Sequence, residues 1–317
     1  MHVTSSVRSL IGVDITSTTV RLIELAAGRS TITMGGLAVE ALPPGAVIGR
    51  RLQQPLAVAS ALSQALAVLA PRTRRAAVAV PTSATTTSRL CLPADLDDAD
   101  IAAHLEWDSD KYFAVPFTEL AIDFHRLQQD DSSAAHQDIE VVACLESRVS
   151  QLVTLLRDVD LEPVAVDLEH LALQRALHGL ACDRGRGGVV LVDLHADLVA
   201  VHIWQQGDWV CSRDFPRPGG DTMVARSDEA YALDQARLVV ACVALCGMLC
   251  SMPLPDRVFV GGELPDACEA FLEGLMAGGL REVEMADPLA GLQGVRPDWS
   301  RFSPTLLAAS GLAMWSP

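Results

Sequence analysis

Apolar and polar positions follow the same plan in two separate stretches of the chain. The stretches LIGVDITSTTVRLIEL (10–25) and VVLVDLHADLVAVHIW (189–204) each give four apolar or glycine residues, an aspartate, an aliphatic residue, a polar turn and an alternating strand. Each continues through a glycine-containing turn into a further strand. This similarity predicts two β-meanders and an internal duplication. Because the spacing of the two stretches is far longer than a solenoid repeat, it favours two related lobes over a repeat array.

Helical and strand patterns alternate through the rest of the chain. Residues 56–70 have the apolar spacing and alanine content of a helix, and the strand AAVAVP follows. A later block contains a helix beginning near Asp97 or Asp98, a strand TELAIDFHRL, a polar loop QQDDSSAAHQD, a strand IEVVACL and a second helix. This alternation predicts an α/β fold with mainly mixed sheets flanked by helices.

The changes of character along the chain predict four segments. In chain order they are a first subdomain over 1–87, an inserted α/β subdomain over 88–160, a return to the first lobe over 161–185, and a second lobe over 186–317. The basic, glycine-rich RGRGG (184–188) marks the last boundary. Because only 40 residues separate Gly220 from Gly261, we expect the outer part of the second lobe to be reduced.

Charge and length narrow the classes of function. The 317 residues are half hydrophobic, which is enough for two lobes with substantial cores. The 40 acidic and 24 basic residues give a formal charge of −16, which repels nucleic acid and anionic lipid headgroups. The first 15 residues lack an export signal. We therefore expect a cytoplasmic protein with no nucleic-acid partner.

The cysteines and one apolar run have two interpretations each. The eight cysteines include no CxxC pair, so we expect reduced core residues, although Cys242, Cys246 and Cys250 share a helix face on which a soft metal could bind. Residues 238–254 form an uncharged run of 17 residues, slightly shorter than a bilayer span. No aromatic belt or basic flank accompanies it, which favours a buried helix.

An ordered set of motifs resembles a known family. The chain is similar to the actin-like superfamily, with its ribonuclease H-like two-lobed fold, and within it most resembles the PilM family of type IV pilus assembly. The motifs that carry the resemblance are, in order, IGVDITSTTVRLIEL, VPFTELAIDF, VDLEHLALQRAL, VLVDLHADLVAVHIW, RDFPRPGGD, VFVGGELPD and SPTLLAASGLAM. Each is weak alone, and the fixed order of seven makes the resemblance specific.

The resemblance implies an assembly role. It implies a cytoplasmic scaffold, peripheral to the inner membrane, that grips the N-terminal tail of the membrane protein PilN in a groove beside the inserted subdomain. Other pilus assembly proteins are implied as further partners, and contact with the membrane is through partners alone. ATP binding between the lobes accompanies this role in family members, whereas robust turnover does not define it.

The resemblance places a first phosphate turn after the strand that opens the chain. Thr16 occupies the position of a family glycine, which is unfavourable because close approach of backbone N–H groups to phosphate needs a residue without Cβ. Ser17 and Thr18 still offer hydroxyls, and Asp14 is placed to hold Mg²⁺ through water.

The second phosphate turn departs further from the family pattern. His195 replaces the glycine, and Asp197 adds a carboxylate that would repel a triphosphate by about 1 kcal/mol or more. Asp193 is retained as the second residue placed to hold Mg²⁺, and Gly261 and Gly262 keep the adenosine turn, although such a pair also serves a tight strand-to-helix connection. The sequence therefore predicts a degenerate or weak site for ATP with Mg²⁺.

Catalytic residues are the least defined part of the prediction. Asp167 and Glu169 lie where the superfamily positions the attacking water, but capping of the following helix explains them equally well. His195 is more typical of a structural turn residue than of a catalyst. The alternatives to a scaffold are an active ATPase of the same fold and the cytoplasmic domain of a type II secretion L-type protein, with a sugar kinase the weakest.

Overall fold

The structure is a computed structural model that describes residues 8–28, 31–127, 135–178, 188–217, 228–250 and 257–316. The chain separates into two units, one formed by Met1–Ala79 with Leu155–Pro317 and the other by Val80–Thr154. The second unit begins at 80 and ends at 154, against 88 and 160 in the expected inserted subdomain. The four-segment division stays a prediction.

The first unit contains two five-stranded sheets, and the first of them holds the opening meander. Its strand order is β10-β6-β1-β2-β3, with β1, β2 and β3 antiparallel and β6 parallel to β1. The strands are β1 (Arg8–Ile15), β2 (Thr19–Ala27), β3 (Ile32–Ala41), β6 (Arg75–Val80) and β10 (Glu162–Leu168). A hairpin of β4 (Val47–Ile48) and β5 (Arg51–Leu52) follows β3.

The second sheet repeats this arrangement. Its order is β13-β12-β11-β14-β15, with β11, β12 and β13 antiparallel and β14 parallel to β11. The strands are β11 (Gly188–Leu194), β12 (Leu198–Gln205), β13 (Asp208–Pro216), β14 (Arg257–Gly262) and β15 (Val283–Met285). Asp14 and Asp193 are the penultimate residues of β1 and β11, so both sheets place an aspartate just before the first turn.

Helices cover these sheets. The helices of the first unit are α1 (Pro55–Leu69), α4 (Glu169–His178), α5 (Asp228–Leu249), α6 (Cys268–Ala277) and α7 (Leu307–Ala313), the last preceded by a 3-10 helix, Pro297–Leu306. Helix α7 packs on β1 at Gly12, where a Cβ would lie 1.8 Å from the Ala309 carbonyl oxygen. It also packs on α4 at Gly311, where a Cβ would lie 1.7 Å from the Ala172 carbonyl oxygen. Glycine at both positions lets α7 approach its neighbours closely.

Helix α5 accounts for most of the apolar run in the second half. Among the described residues it is the one helix long and apolar enough to span a membrane by length and composition. One face of α5 packs on β12 and α6 and contributes to the core Ala232, Ala236, Val239, Cys242, Val243 and Cys246. Leu245, Met248 and Leu249 are exposed on the remaining surface.

The second unit contains a three-stranded antiparallel sheet in the order β7-β9-β8. The strands are β7 (Thr85–Pro93), β8 (Leu120–Arg126) and β9 (His136–Leu145), and the helices are α2 (Asp98–Tyr112) and α3 (Glu146–Arg157), with short 3-10 helices at Thr82–Ala84 and Phe117–Glu119. Asp97 caps α2 as expected. Its carboxylate accepts from the Asp100 N–H at 2.9 Å, and the Asp100 carboxylate accepts from the Asp97 N–H at 3.4 Å.

Three local features differ from the sequence interpretation. The β4–β5 hairpin was not predicted, because its strands are only two residues long and carry no alternating pattern. The strand β7 begins at Thr85, and the threonines at its start were not assigned to any element from the sequence. The predicted last helix begins as a 3-10 helix that contains Pro304. Most of RGRGG, the glycines of PGGD and much of the QQDDSSAAHQD loop lie outside the described residues.

Candidate functional site

The turn between β1 and β2 is closed by the Thr16 hydroxyl. Its Oγ1 accepts from the N–H groups of Thr18 at 3.3 Å and Thr19 at 3.0 Å, and donates to the Thr19 carbonyl oxygen at 3.1 Å. In a phosphate-binding nest, backbone N–H groups of this kind point at the ligand. Here a buried side chain of the turn satisfies two of them, so Thr16 does more than fill the space of a glycine.

The two neighbouring hydroxyls reach across to the second sheet. The Ser17 hydroxyl donates to the Asp197 carboxylate at 2.8 Å, and Asp197 lies in the turn between β11 and β12. The Thr18 hydroxyl donates to the Glu263 carboxylate at 2.7 Å, and Glu263 directly follows β14. The opposed turns of the two sheets are therefore joined directly by side-chain hydrogen bonds.

Arg21 adds a charged link between the same elements. Its guanidinium lies 3.3 Å from the Asp14 carboxylate and 3.0 Å from the Glu263 carboxylate, and it donates to the Thr305 carbonyl oxygen at 3.0 Å. Burial raises the pKa of Asp14, although Arg21 and His195 both act to lower it. Asp14 thus already has a buried cation beside it.

Arg217 stabilises the turn between β11 and β12 by hydrogen bonds to its carbonyl oxygens. The Arg217 guanidinium donates to the His195 carbonyl oxygen at 2.7 Å, and the Arg217 backbone N–H donates to the Asp197 carbonyl oxygen at 2.9 Å. The His195 Nε2 atom is 3.2 Å from the Asp193 carboxylate. Burial acts to raise the pKa of Asp193, but the pairing with His195 outweighs it and lowers that pKa to about 2. Burial acts to lower the pKa of His195, and Asp193 outweighs it, so the pKa of His195 is raised.

Arg50 enters this site from the tip of the β4–β5 hairpin. It has a left-handed backbone with φ of 58°, and its guanidinium pairs with Glu169 and with Asp214 at 3.3 Å. The same guanidinium lies 3.1 Å from His195 Nε2. Burial acts to lower the pKa of Arg50, but Glu169 and Asp214 outweigh burial, so the pKa of Arg50 is raised. Burial acts to raise the pKa of Glu169, and Arg50 outweighs it, so that pKa is lowered. A guanidinium thus lies among three groups of the site.

Asp167 and Glu169, the candidate water-positioning residues, both contact arginines. The Asp167 carboxylate accepts from the Arg175 guanidinium and, at 2.8 Å, from the Leu168 N–H. The same arginine donates to the Gly311 carbonyl oxygen at 2.9 Å, which connects α4 to α7. Asp167 therefore supports helix packing, and the Glu169 carboxylate is paired with Arg50.

Gly261 and Gly262 allow protein groups to approach at the end of β14. A Cβ on Gly261 would lie 2.3 Å from Leu307 Cδ1. A Cβ on Gly262, whose φ is 83°, would lie 2.1 Å from the Leu194 carbonyl oxygen and 2.5 Å from the Asp193 carboxylate. Packing within the chain is sufficient to explain the glycine pair.

Comparisons with known proteins agree with the resemblance. A model of the family described as type IV pilus assembly protein PilM matches residues 12–237, which is more than half of the chain. The chain belongs to the PilM family. Its fold is similar to that of a chain in a solved PilM-PilN type IV pilus biogenesis complex, with 16% sequence identity over 96% of this chain and 97% of that one and a TM-score of 0.78.

Two other solved structures are similar to the chain at lower TM-scores. The ethanolamine utilization protein EutJ from Carboxydothermus hydrogenoformans is 12% identical over 98% of this chain and 90% of its own, with a TM-score of 0.50. A Bacteroides thetaiotaomicron protein with an actin-like ATPase fold is 10% identical over 90% and 93%, with a TM-score of 0.48. The predicted two-lobed, actin-like α/β fold is confirmed for this PilM-family chain.

The donor groups of this PilM-family site do not fit ATP with Mg²⁺ in the arrangement described. The Thr16 hydroxyl occupies two N–H groups of the first turn, and the Ser17 and Thr18 hydroxyls are directed at carboxylates. Asp14 and Asp193, the expected Mg²⁺ residues, lie beside Arg21 and His195. Among the described residues, no group of three or more His, Cys, Asp or Glu side chains is arranged to hold a metal ion.

The structure brings together the residues predicted from the two phosphate turns and adds others. Asp14, Asp193 and His195 lie close enough that the last two influence the pKa of the first. Sequence reasoning missed Arg21, Arg50 and Glu263. The signal for Arg21 was present, because an arginine at a core-facing position of a strand requires a buried partner. Arg50 had no comparable signal, since it depends on the position of a very short hairpin.

Proposed function

We propose that this chain is a scaffold of type IV pilus assembly that binds the N-terminal cytoplasmic tail of a PilN-like inner-membrane protein and does so without bound nucleotide. Other pilus assembly proteins dock on the same scaffold. It is cytoplasmic and reaches the inner membrane through its partners. The observation that carries the proposal is the match over nearly the full length of both chains to one in a PilM-PilN complex, together with the PilM family match.

The contacts between the two turns support the nucleotide-free part of the proposal. In the described arrangement, a nucleotide phosphate would have to displace Ser17 from Asp197 and Thr18 from Glu263. It would also approach two carboxylates directly, which is unfavourable in a partly buried site. The hydrogen bonds and ion pairs of the cleft hold the two sheets together in the way that a bound nucleotide otherwise would.

A peptide titration tests the scaffold. A fluorescently labelled peptide with the N-terminal tail sequence of a PilN-like inner-membrane protein from the same organism is titrated with the full chain and followed by anisotropy. We expect saturable binding with a Kd on the order of 10 µM or tighter. A scrambled peptide of the same composition is the control. Equal binding of both peptides, or no saturation, would contradict the proposal.

A second titration distinguishes the scaffold from an active ATPase. Fluorescent ATP is added with and without Mg²⁺, up to about 1 mM. We expect no saturable binding and no change in tail-peptide affinity when unlabelled ATP is present. Saturable, Mg²⁺-dependent binding with phosphate release would favour the ATPase and reject the nucleotide-free part alone, leaving the tail-binding result to be judged separately.

A further inference from the structure

Three cysteine thiols from two elements meet in the core of the second sheet. Cys211 lies on β13, Cys246 on α5, and Cys250 directly follows α5. The Cys250 thiol donates to the Cys211 sulfur, with the two Sγ atoms 2.7 Å apart. Cys246 lies close enough to Cys211 to be the largest influence on the Cys211 pKa, which it raises. The helical spacing predicted that Cys246 and Cys250 share a face, and the fold adds Cys211 from a strand about 40 residues earlier.

The three thiols differ in solvent exposure and in pKa, and both affect how fast they react. Cys211 and Cys246 are buried, whereas Cys250 is partly exposed and can meet a small molecule from solvent. Arg213, two residues beyond Cys211 on the same strand, is exposed, and its charge acts to lower the pKa of all three cysteines. At Cys211 the neighbouring Cys246 thiol and burial outweigh that charge, so the pKa of Cys211 is raised. Burial, followed by the hydrogen bond to Cys211, raises the pKa of Cys250 to about 11, so its reaction near neutral pH is slow.

A metal does not explain the cluster, because no described group of side chains here is arranged to bind one. A disulfide needs two sulfurs about 2.05 Å apart with matching Cβ positions. The Cys211 and Cys250 sulfurs lie 2.7 Å apart, so the two atoms that a disulfide would join are already neighbours.

We propose that Cys211 and Cys250 form a site of reversible oxidative modification, in which a low-molecular-weight disulfide such as oxidised glutathione converts them into an intramolecular disulfide. The Cys250 thiolate attacks one sulfur of oxidised glutathione, whose S–S bond breaks and releases one glutathione. Cys211 then loses its proton to solvent as its sulfur attacks the Cys250 sulfur, and the Cys250–glutathione bond breaks and releases the second glutathione as a thiolate. Two protein thiols lose two protons and two electrons, and the glutathione disulfide gains both as it becomes two glutathione thiols.

The modification would connect two parts of the fold covalently. The disulfide ties β13, an edge strand of its sheet, to the C-terminal end of α5, where core packing otherwise holds them. In a reducing cytoplasm the pair stays as thiols and forms a bond under oxidative conditions. This inference does not rest on the proposed function.

Mass spectrometry of the full-length chain tests the proposal. The protein is incubated with excess oxidised glutathione at mildly alkaline pH, where more of the Cys250 thiol is ionised, and is then quenched with acid. We expect a loss of about 2 Da in the intact mass, a Cys211–Cys250 peptide in the unreduced digest, and full reversal by dithiothreitol. The wild-type result decides the proposal without relying on any variant.

Two serine variants sharpen the result. Cys250→Ser should abolish the loss of mass, while Cys268→Ser, a substitution of another partly exposed cysteine, should leave it intact. Circular dichroism and thermal melting verify that both variants are folded. A glutathione adduct that persists on Cys250, a linkage that maps to other cysteines, or an unchanged mass would each overturn the proposal.

Discussion

Ser17 and Asp197 are 180 positions apart in the chain, and the Ser17 hydroxyl donates a 2.8 Å hydrogen bond to the Asp197 carboxylate. Each residue lies in the turn that follows the first strand of its sheet. The sequence interpretation treated Asp197 as a source of repulsion for a triphosphate. In the structure its carboxylate has a protein partner instead, so the duplicated turns contact each other.

Removal of the Asp197 carboxylate should weaken this contact. We expect Asp197→Ala to lower the free energy of unfolding by about 1 kcal/mol, because one charge-assisted hydrogen bond at a solvent-exposed site is lost. Urea unfolding at neutral pH measures the change. Asp266→Ala, at an exposed aspartate of the same unit, is the control and should change stability by less than about 0.5 kcal/mol. Equal effects of the two substitutions would show that the hydrogen bond contributes no stability.

Substitution of Arg50 should strongly lower the free energy of unfolding. We expect Arg50→Ala to destabilise the protein by about 3 kcal/mol or more, because Glu169 and Asp214 would be left near each other without their cation. Arg51→Ala changes the adjacent, exposed arginine and should cost under about 0.5 kcal/mol. Chemical denaturation compares the two.

A second substitution separates charge from backbone conformation at Arg50. The variant Arg50→Ala/Glu169→Gln removes one of the two carboxylate charges that faced Arg50, so it should recover part of the lost stability. Failure to recover any stability would indicate that the left-handed backbone at position 50, rather than the ion pair, is responsible.

Acid should reveal the contribution of Asp193. Its pKa is lowered from 3.8 in the reference state to about 2 in the folded chain. Stability from a lowered carboxyl pKa is fully present above the unfolded value and is lost as pH falls through the folded value, here between about pH 4 and pH 2. The shift corresponds to about 2 kcal/mol.

The matching measurement compares wild type with Asp193→Asn by urea unfolding across this range. The variant should be less stable by about 2 kcal/mol at neutral pH and should lose less stability on acidification. Parallel curves for the two proteins would be inconsistent with an Asp193 pKa lowered by its pairing with His195.

The packing of α7 on β1 should tolerate no side chain at position 12. We expect Gly12→Ala to cost about 3 kcal/mol or more, because the added Cβ would meet the Ala309 carbonyl oxygen at 1.8 Å and the backbone must move. Gly35→Ala is the comparison, since the nearest atoms that its Cβ would meet belong to a side chain, with the Glu24 carboxylate at 2.8 Å, and not to the backbone. Thermal melting should show a much smaller shift for the control, and comparable shifts would reject this account of the α7 contact.

Several structural features could be predicted from particular residues. The repeated Asp14 and Asp193 motifs indicated the two meanders, and Asp97 indicated the start of α2, because hydrophobic periodicity and helix capping act over a few neighbouring residues. The family resemblance was carried by such local motifs in order.

What the sequence by itself determined was most of the strands and helices, the repeated meander, and the presence of polar side chains in both turns. What only the tertiary structure decided was which of those side chains meet: Ser17 with Asp197, Arg50 with Glu169, and Cys211 with Cys250. Local pattern reports on neighbours along the chain, whereas these pairs are set by how two sheets and their helices pack over distances of tens to hundreds of residues.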